Sequence, residues 1–139
     1  KADWDLIKQA KERSNVPIIG NGDITEPGTA KFRLEQSKVD FVMIGRAALG
    51  NPFIFQQADY LLKNNKNQPK AINRDKQRAF LRFAELYKQN KEQFKISEFR
   101  QHAMWFTKSI QGAKRTRNEI MSLEDYDKIV KLVSTSYDI

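Results

Sequence analysis

Two short apolar runs mark the first third of the chain: Val16-Pro17-Ile18-Ile19, and the stretch from Val39 to Ile44. Each is stopped by a glycine-bearing turn, Gly20-Asn21-Gly22-Asp23 after the first and Gly45-Arg46 after the second. Apolar residues on successive positions, rather than alternating ones, predict strands buried on both faces, as in a parallel sheet covered by helices. Between the runs, Thr25 followed by Glu26 and Pro27 predicts a helix to about Ser37, since Thr caps and Pro is tolerated in a first turn. Ahead of them, Asp3 caps a helix to about Ser14 with Leu6, Ile7 and Ala10 on one side. The 25 positions from Gly20 to Gly45 fit one strand-helix-strand crossover.

From Phe53 onward the period becomes helical. Asn51-Pro52 sets the turn into a helix from Phe53 to Leu62, which ends at the polar stretch Asn64 to Pro69. Asn73 caps a helix to about Asn90 with Phe80, Phe83, Ala84 and Tyr87 on one face. Ile96, Phe99, Ala103, Phe106 and Ile110 form an apolar seam, and Gly112 reads as its stop. A last helix begins after Ser122 and carries Leu123, Tyr126, Ile129, Val130 and Val133. The expected architecture is α/β followed by all-α. Two strands cannot make a doubly covered sheet, and a TIM (β/α)8 barrel takes about 250 residues. Residues 1–62 are therefore expected to be the last two strands of a truncated barrel, 63–72 a linker, and 73–139 a small helical bundle.

Composition narrows the chemistry. With 40% hydrophobic and 30% charged residues, the 139 residues can build a folded core. The absence of Cys excludes disulfides, thiolate metal sites and cysteine catalysis within this stretch, and a single His leaves no expected metal site. No apolar run reaches the roughly 20 residues of a membrane helix, and no secretory signal is recognised, so a cytoplasmic protein without a membrane partner is expected.

The net charge of +8 is unevenly placed. Residues 74–117 hold 12 basic and 4 acidic residues, and no carboxylate lies between Phe99 and Asn118. Solvated helices usually alternate and pair their charges. Arg100, Lys108, Lys114, Arg115 and Arg117 are thus candidate phosphate contacts, the alternative being an ordinary basic surface. Trp105 falls opposite the apolar seam with Gln101 and Lys108, placed either to contact RNA or to pack. His102 reads as a hydrogen-bonded border residue of the seam.

Ligands of parallel α/β proteins bind at the carboxyl ends of strands, where both glycine turns fall. Asn21, Gly22 and Asp23 can approach an anion with backbone N–H groups, and Gly45 gives access while Arg46 offers a planar fork to phosphate oxygens. Each turn alone is equally consistent with a tight turn. Asp23 either binds ligand hydroxyls or caps the Thr25 helix region.

Val16 to Ile24, followed by Val42-Met43-Ile44-Gly45-Arg46-Ala47-Ala48-Leu49-Gly50-Asn51-Pro52-Phe53-Ile54-Phe55, resembles the barrel end of bacterial tRNA-dihydrouridine synthases. The Ala2-Asp3-Trp4 opening, Phe99-Arg100-Gln101-His102 and the Trp105…Lys108…Gly112 stretch extend the resemblance over nearly the whole chain. It implies that Asn21, Gly22, Asp23, Gly45 and Arg46 line the phosphate and ribityl end of FMN. It further implies that NADPH supplies hydride, that tRNA is the substrate, and that a catalytic Cys and a Lys lie on earlier strands outside these residues. No catalytic residue is therefore assigned here, and the chain alone is expected to be inactive. Two alternatives stand beside this reading: another FMN-dependent barrel oxidoreductase acting on a small molecule, and a non-catalytic RNA-binding or regulatory module. Uncovered barrel strands also predict self-association.

Overall fold

A computed structural model describes residues 1–90, 94–108 and 110–138. The chain forms two units: Lys1–Ala48 with Pro52–Pro69, and Leu49–Asn51 with Lys70–Ile139.

In the first unit, α1 (Trp4–Glu12) starts where the Asp3 carboxylate accepts the amides of Asp5 and Leu6 at 3.1 and 2.9 Å. Its inward side is Trp4 and Ile7, while Leu6 and Ala10, expected inside, are exposed. The large indole at position 4 sets the rotation of the helix. Strands β1 (Ile19–Asn21) and β2 (Phe41–Met43) pair in parallel with Ile19 opposite Phe41 and Asn21 opposite Met43. β1 starts later than the apolar run because Pro17 has no N–H and the Ile18 N–H donates to the Asp40 carboxylate at 2.7 Å. Asp40 also takes Lys11 Nζ at 2.7 Å, tying α1 to the entry of both strands. Between the strands, α2 (Pro27–Ser37) follows Glu26, whose side chain makes no cap, so the expected Thr25 cap is absent. Lys38 ends the helix at φ 57°. α3 (Phe53–Asn64) packs on α2 and stops at Asn65, also left-handed at φ 52°.

The core of this unit is Trp4, Ile24, Ala30, Val39 and Ala58, joined by Ile18, Leu34, Val42 and Ile44. The strands are not buried on both faces. Gly20 is buried, whereas Ile19, Phe41 and Met43 are 63%, 61% and 55% exposed. A continuous apolar run records which residues tolerate burial, not whether a second layer is present. The described residues form a two-stranded parallel sheet rather than a closed barrel.

The second unit is helical: α4 (Asn73–Gln89), α5 (Ile96–Phe106), α6 (Ala113–Ser122) and α7 (Tyr126–Thr135). Asp75 reaches back to the Ile72 amide at 3.3 Å, so Ile72 rather than Asn73 is the capped residue of α4. Asp125 caps α7 by accepting the Lys128 amide at 2.8 Å. Phe80, Phe99, Ile120, Ile129 and Val133 are fully buried, and Phe83 stacks on Phe99 with centroids 6.1 Å apart and rings 2° from parallel. The seam residues Phe99, Ala103, Phe106 and Ile110 all enter this core, but α5 ends at Phe106. There the buried Thr107 turns its Oγ1 onto the Met104 carbonyl at 2.8 Å. Gly112, read as a stop, is instead the left-handed residue (φ 73°) before α6. α6 was not expected from the sequence, because Ile120 is its one buried residue and it has no apolar stripe to detect. Gly50 (φ 72°) lies against the end of α5, where a Cβ would collide with the Trp105 carbonyl.

Candidate anion-binding site at the strand ends

Parallel pairing of Asn21 with Met43 places the turn after β1 beside the turn after β2. Together they line one open depression of about 620 Å³, whose walls are residues 21–25, Met43 and 45–47. All five residues predicted to bind a cofactor, Asn21, Gly22, Asp23, Gly45 and Arg46, border it. It lies at the carboxyl ends of both strands. Gly22 adopts φ 129°, open to glycine but not readily to other residues, and Asp23 follows at φ 52°. A Cβ at Gly45 would meet nothing within 4 Å, so the backbone there faces open space. Arg46 is exposed and begins a short 3-10 turn, Arg46–Ala48.

Asp23 caps no helix. Its Oδ2 accepts the Ala2 amide at 2.7 Å. That bond, followed by the positive charges of Arg46 and Arg33, holds the carboxyl below the ordinary aspartate range despite some desolvation. Among the described residues no acceptor takes the Asp23 N–H. An arginine, an open glycine backbone and an unused amide are donors suited to an oxyanion; phosphate fits this set. The sequence did not point to Arg33. Its guanidinium lies 5.2 Å from the Trp4 ring, and its buried Nε has no hydrogen-bond partner among the described residues.

The basic candidates in the helical unit separate by role. Arg100 donates to the carbonyls of Met121 and Leu123 at 3.2 and 3.3 Å, fastening α5 to the end of α6. Its expected phosphate role is set against a structural use of the same guanidinium. Arg115 pairs with Glu119 at 2.9 Å, so the carboxylate-free stretch is served by an acidic residue just beyond it. Lys108 and Lys114 are exposed and Arg117 is half-buried, and among the described residues none of the three side chains makes an ion pair or a hydrogen bond. His102 packs against Phe83 and edge-on against Trp105, with centroids 5.1 and 4.8 Å away; burial lowers its pKa, and it makes an aromatic border rather than the expected hydrogen-bonded one. No group of His, Cys, Asp and Glu among the described residues is arranged to hold a metal.

In open parallel α/β sheets ligands bind outside the carboxyl ends of the strands, which is where this depression lies. The dihydrouridine synthase (Dus) family model matches residues 1–137. The tRNA-dihydrouridine synthase B of Pseudomonas aeruginosa is 33% identical over 128 residues, covering 91% of this chain and 39% of that relative. A probable tRNA-dihydrouridine synthase of Rickettsia bellii is 31% identical over 139 residues, covering 96% of this chain and 43% of the relative. In a shorter stretch of 64 residues, the Vibrio parahaemolyticus tRNA-dihydrouridine synthase B reaches 48% identity. The chain belongs to the dihydrouridine synthase family. It spans about two-fifths of the length of the first two of these relatives. No helix among the described residues is long and apolar enough to cross a membrane.

Proposed function

We propose that this chain supplies the last two strands of a TIM barrel and the helical tRNA-binding domain of a tRNA-dihydrouridine synthase, and that the strand-end depression holds the phosphate of FMN. The observation that carries this reading is the meeting of Gly22-Asp23 and Gly45-Arg46 around one cavity at the carboxyl ends of parallel strands. Arg46 binds the phosphate with charge-assisted hydrogen bonds, Gly45 lets the ligand approach the main chain, and the Asp23 amide adds a neutral donor. Bound there, FMN supplies hydride-transfer chemistry, with NADPH as the hydride source and the C5–C6 double bond of a tRNA uridine as the acceptor. These residues position the cofactor and do not move the proton: the Cys implied by the resemblance is not among the 139 residues. The reading therefore assigns binding, not turnover, to this chain. The outward face of Ile19, Phe41 and Met43 is the side on which the remaining barrel would close. Lys108, Lys114 and Arg117 supply phosphate contacts to tRNA in the cytoplasm.

Titration of FMN against the chain, followed by flavin fluorescence, tests the site. Arg46→Ala is expected to weaken binding about 10- to 100-fold, the worth of hydrogen bonds to a charged group. Equal affinity of the variant and the parent would remove the phosphate from this depression.

A further inference from the structure

The turn that lines the depression is held from behind by the first residues of the chain. Trp4 is 3% exposed, and its Nε1 donates to the Gly22 carbonyl at 3.2 Å. Its ring lies so close over Gly20 that a Cβ there would sit 2.6 Å from Cζ3. The Ala2 amide donates to Asp23 Oδ2 at 2.7 Å, and the Ala2 side chain fills the place a Cβ on Gly22 would need. The Gly22–Asp23 peptide is trans, so the Gly22 carbonyl and the Asp23 N–H lie on opposite sides of one planar unit. Holding that carbonyl toward the core therefore turns the Asp23 N–H away from it.

We infer that Ala2 and Trp4 are positioning residues of the anion site: together they fix the Gly22–Asp23 peptide so that its N–H is presented outward to the ligand. This inference rests on the phosphate reading of the depression and adds to it a cause for the turn's shape. Neither residue borders the cavity, so neither touches the ligand. Their effect passes through one carbonyl and one carboxylate. Arg33, over the indole face, closes the far side of the brace.

Trp4→Phe keeps an aromatic ring against Gly20 and deletes the donor. Ala2→Pro deletes the other donor without opening the core, and so covers the case in which the first variant fails to fold. Two readouts are taken on the whole chain: backbone 15N order parameters, and FMN affinity. In either variant the order parameters of Gly22 and Asp23 are expected to fall from about 0.85 toward about 0.6, while those of Ala30 and Val42 hold. FMN binding is expected to weaken about five- to tenfold, the worth of one well-placed hydrogen bond. Loosening spread evenly over Ala30 and Val42 would make the two residues ordinary packing. An ordered turn in both variants, or unchanged FMN affinity with a loosened turn, would overturn the inference. If the parent chain itself shows no FMN-induced change at Gly22 and Gly45, the phosphate reading fails, and the order parameters alone decide whether the brace sets the turn.

Discussion

Removing one hydroxyl group, by Tyr137→Phe, gives a sharp test of how the helical unit is closed. Tyr137 is 4% exposed, and its hydroxyl donates to the Phe106 carbonyl at 2.7 Å, joining the chain after α7 to the end of α5. At neutral pH the substitution removes the bond and leaves the buried Phe106 carbonyl without that donor, together a cost of about 1–3 kcal/mol. Burial pushes the phenol up from 10.0 to about 12. The folded protein thus holds the proton more tightly than the unfolded chain. The associated stability is complete below pH 10 and is lost as pH rises through 12. The gap corresponds to about 3 kcal/mol. Urea unfolding of parent and variant, followed by helical circular dichroism from pH 8 to 12.5, measures both effects. The parent is expected to be the more stable at pH 8, and the two curves to converge above pH 10. Tyr87 and Tyr126, also raised by burial, are common to both proteins and cancel in the difference. A stability gap that stays constant to pH 12.5 would show that the phenol is not held neutral by the fold.

Arg100→Met is expected to lower stability by about 1–2 kcal/mol, as two carbonyls lose a charged donor, and to leave the salt dependence of tRNA binding unchanged. Lys114→Ala with Arg117→Ala is expected to do the reverse, reducing the slope of log K against log salt by about 1 per side chain; filter binding at several salt concentrations separates the two, and an Arg100-dependent slope would refute the division. The Asp23 carboxyl, held below its usual range chiefly by the Ala2 amide, contributes to the turn above the ordinary aspartate pKa and loses that contribution as pH falls through its lowered value. Asp23→Asn is accordingly expected to abolish the acid-induced change in the Ala2 amide shift, seen by NMR between pH 5 and about 2; persistence of that change in the variant would assign it elsewhere.

What the sequence disclosed depended on range. The crossover from Gly20 to Gly45 was legible because strand ends and helix starts carry local chemistry: glycines, Pro27, an apolar run. The seam of Phe99, Ala103 and Phe106 was legible because periodicity is itself local. α6 was hidden, since a helix that buries only Ile120 leaves no stripe, and a left-handed Gly112 looks the same after one helix as before another. The partners of Arg100 lie 21 and 23 positions away and those of Trp4 and Ala2 lie 18 and 21 away, distances at which no spacing rule operates. That some strand surface is bare follows from counting only two strands, but which face is bare does not: the sidedness of burial is a property of neighbouring layers and is not written in the strand.

The fit of the indole over Gly20 also governs alignment. If β1 slid by one position along its partner, Ile19 or Asn21 would arrive beneath a ring that leaves room only for hydrogen. With three residues per strand there are few hydrogen bonds to resist such a slip. A single aromatic side chain, distant in the chain and outside the sheet, thereby acts as a steric key for the ladder, and the same key decides which two loops end up as neighbours.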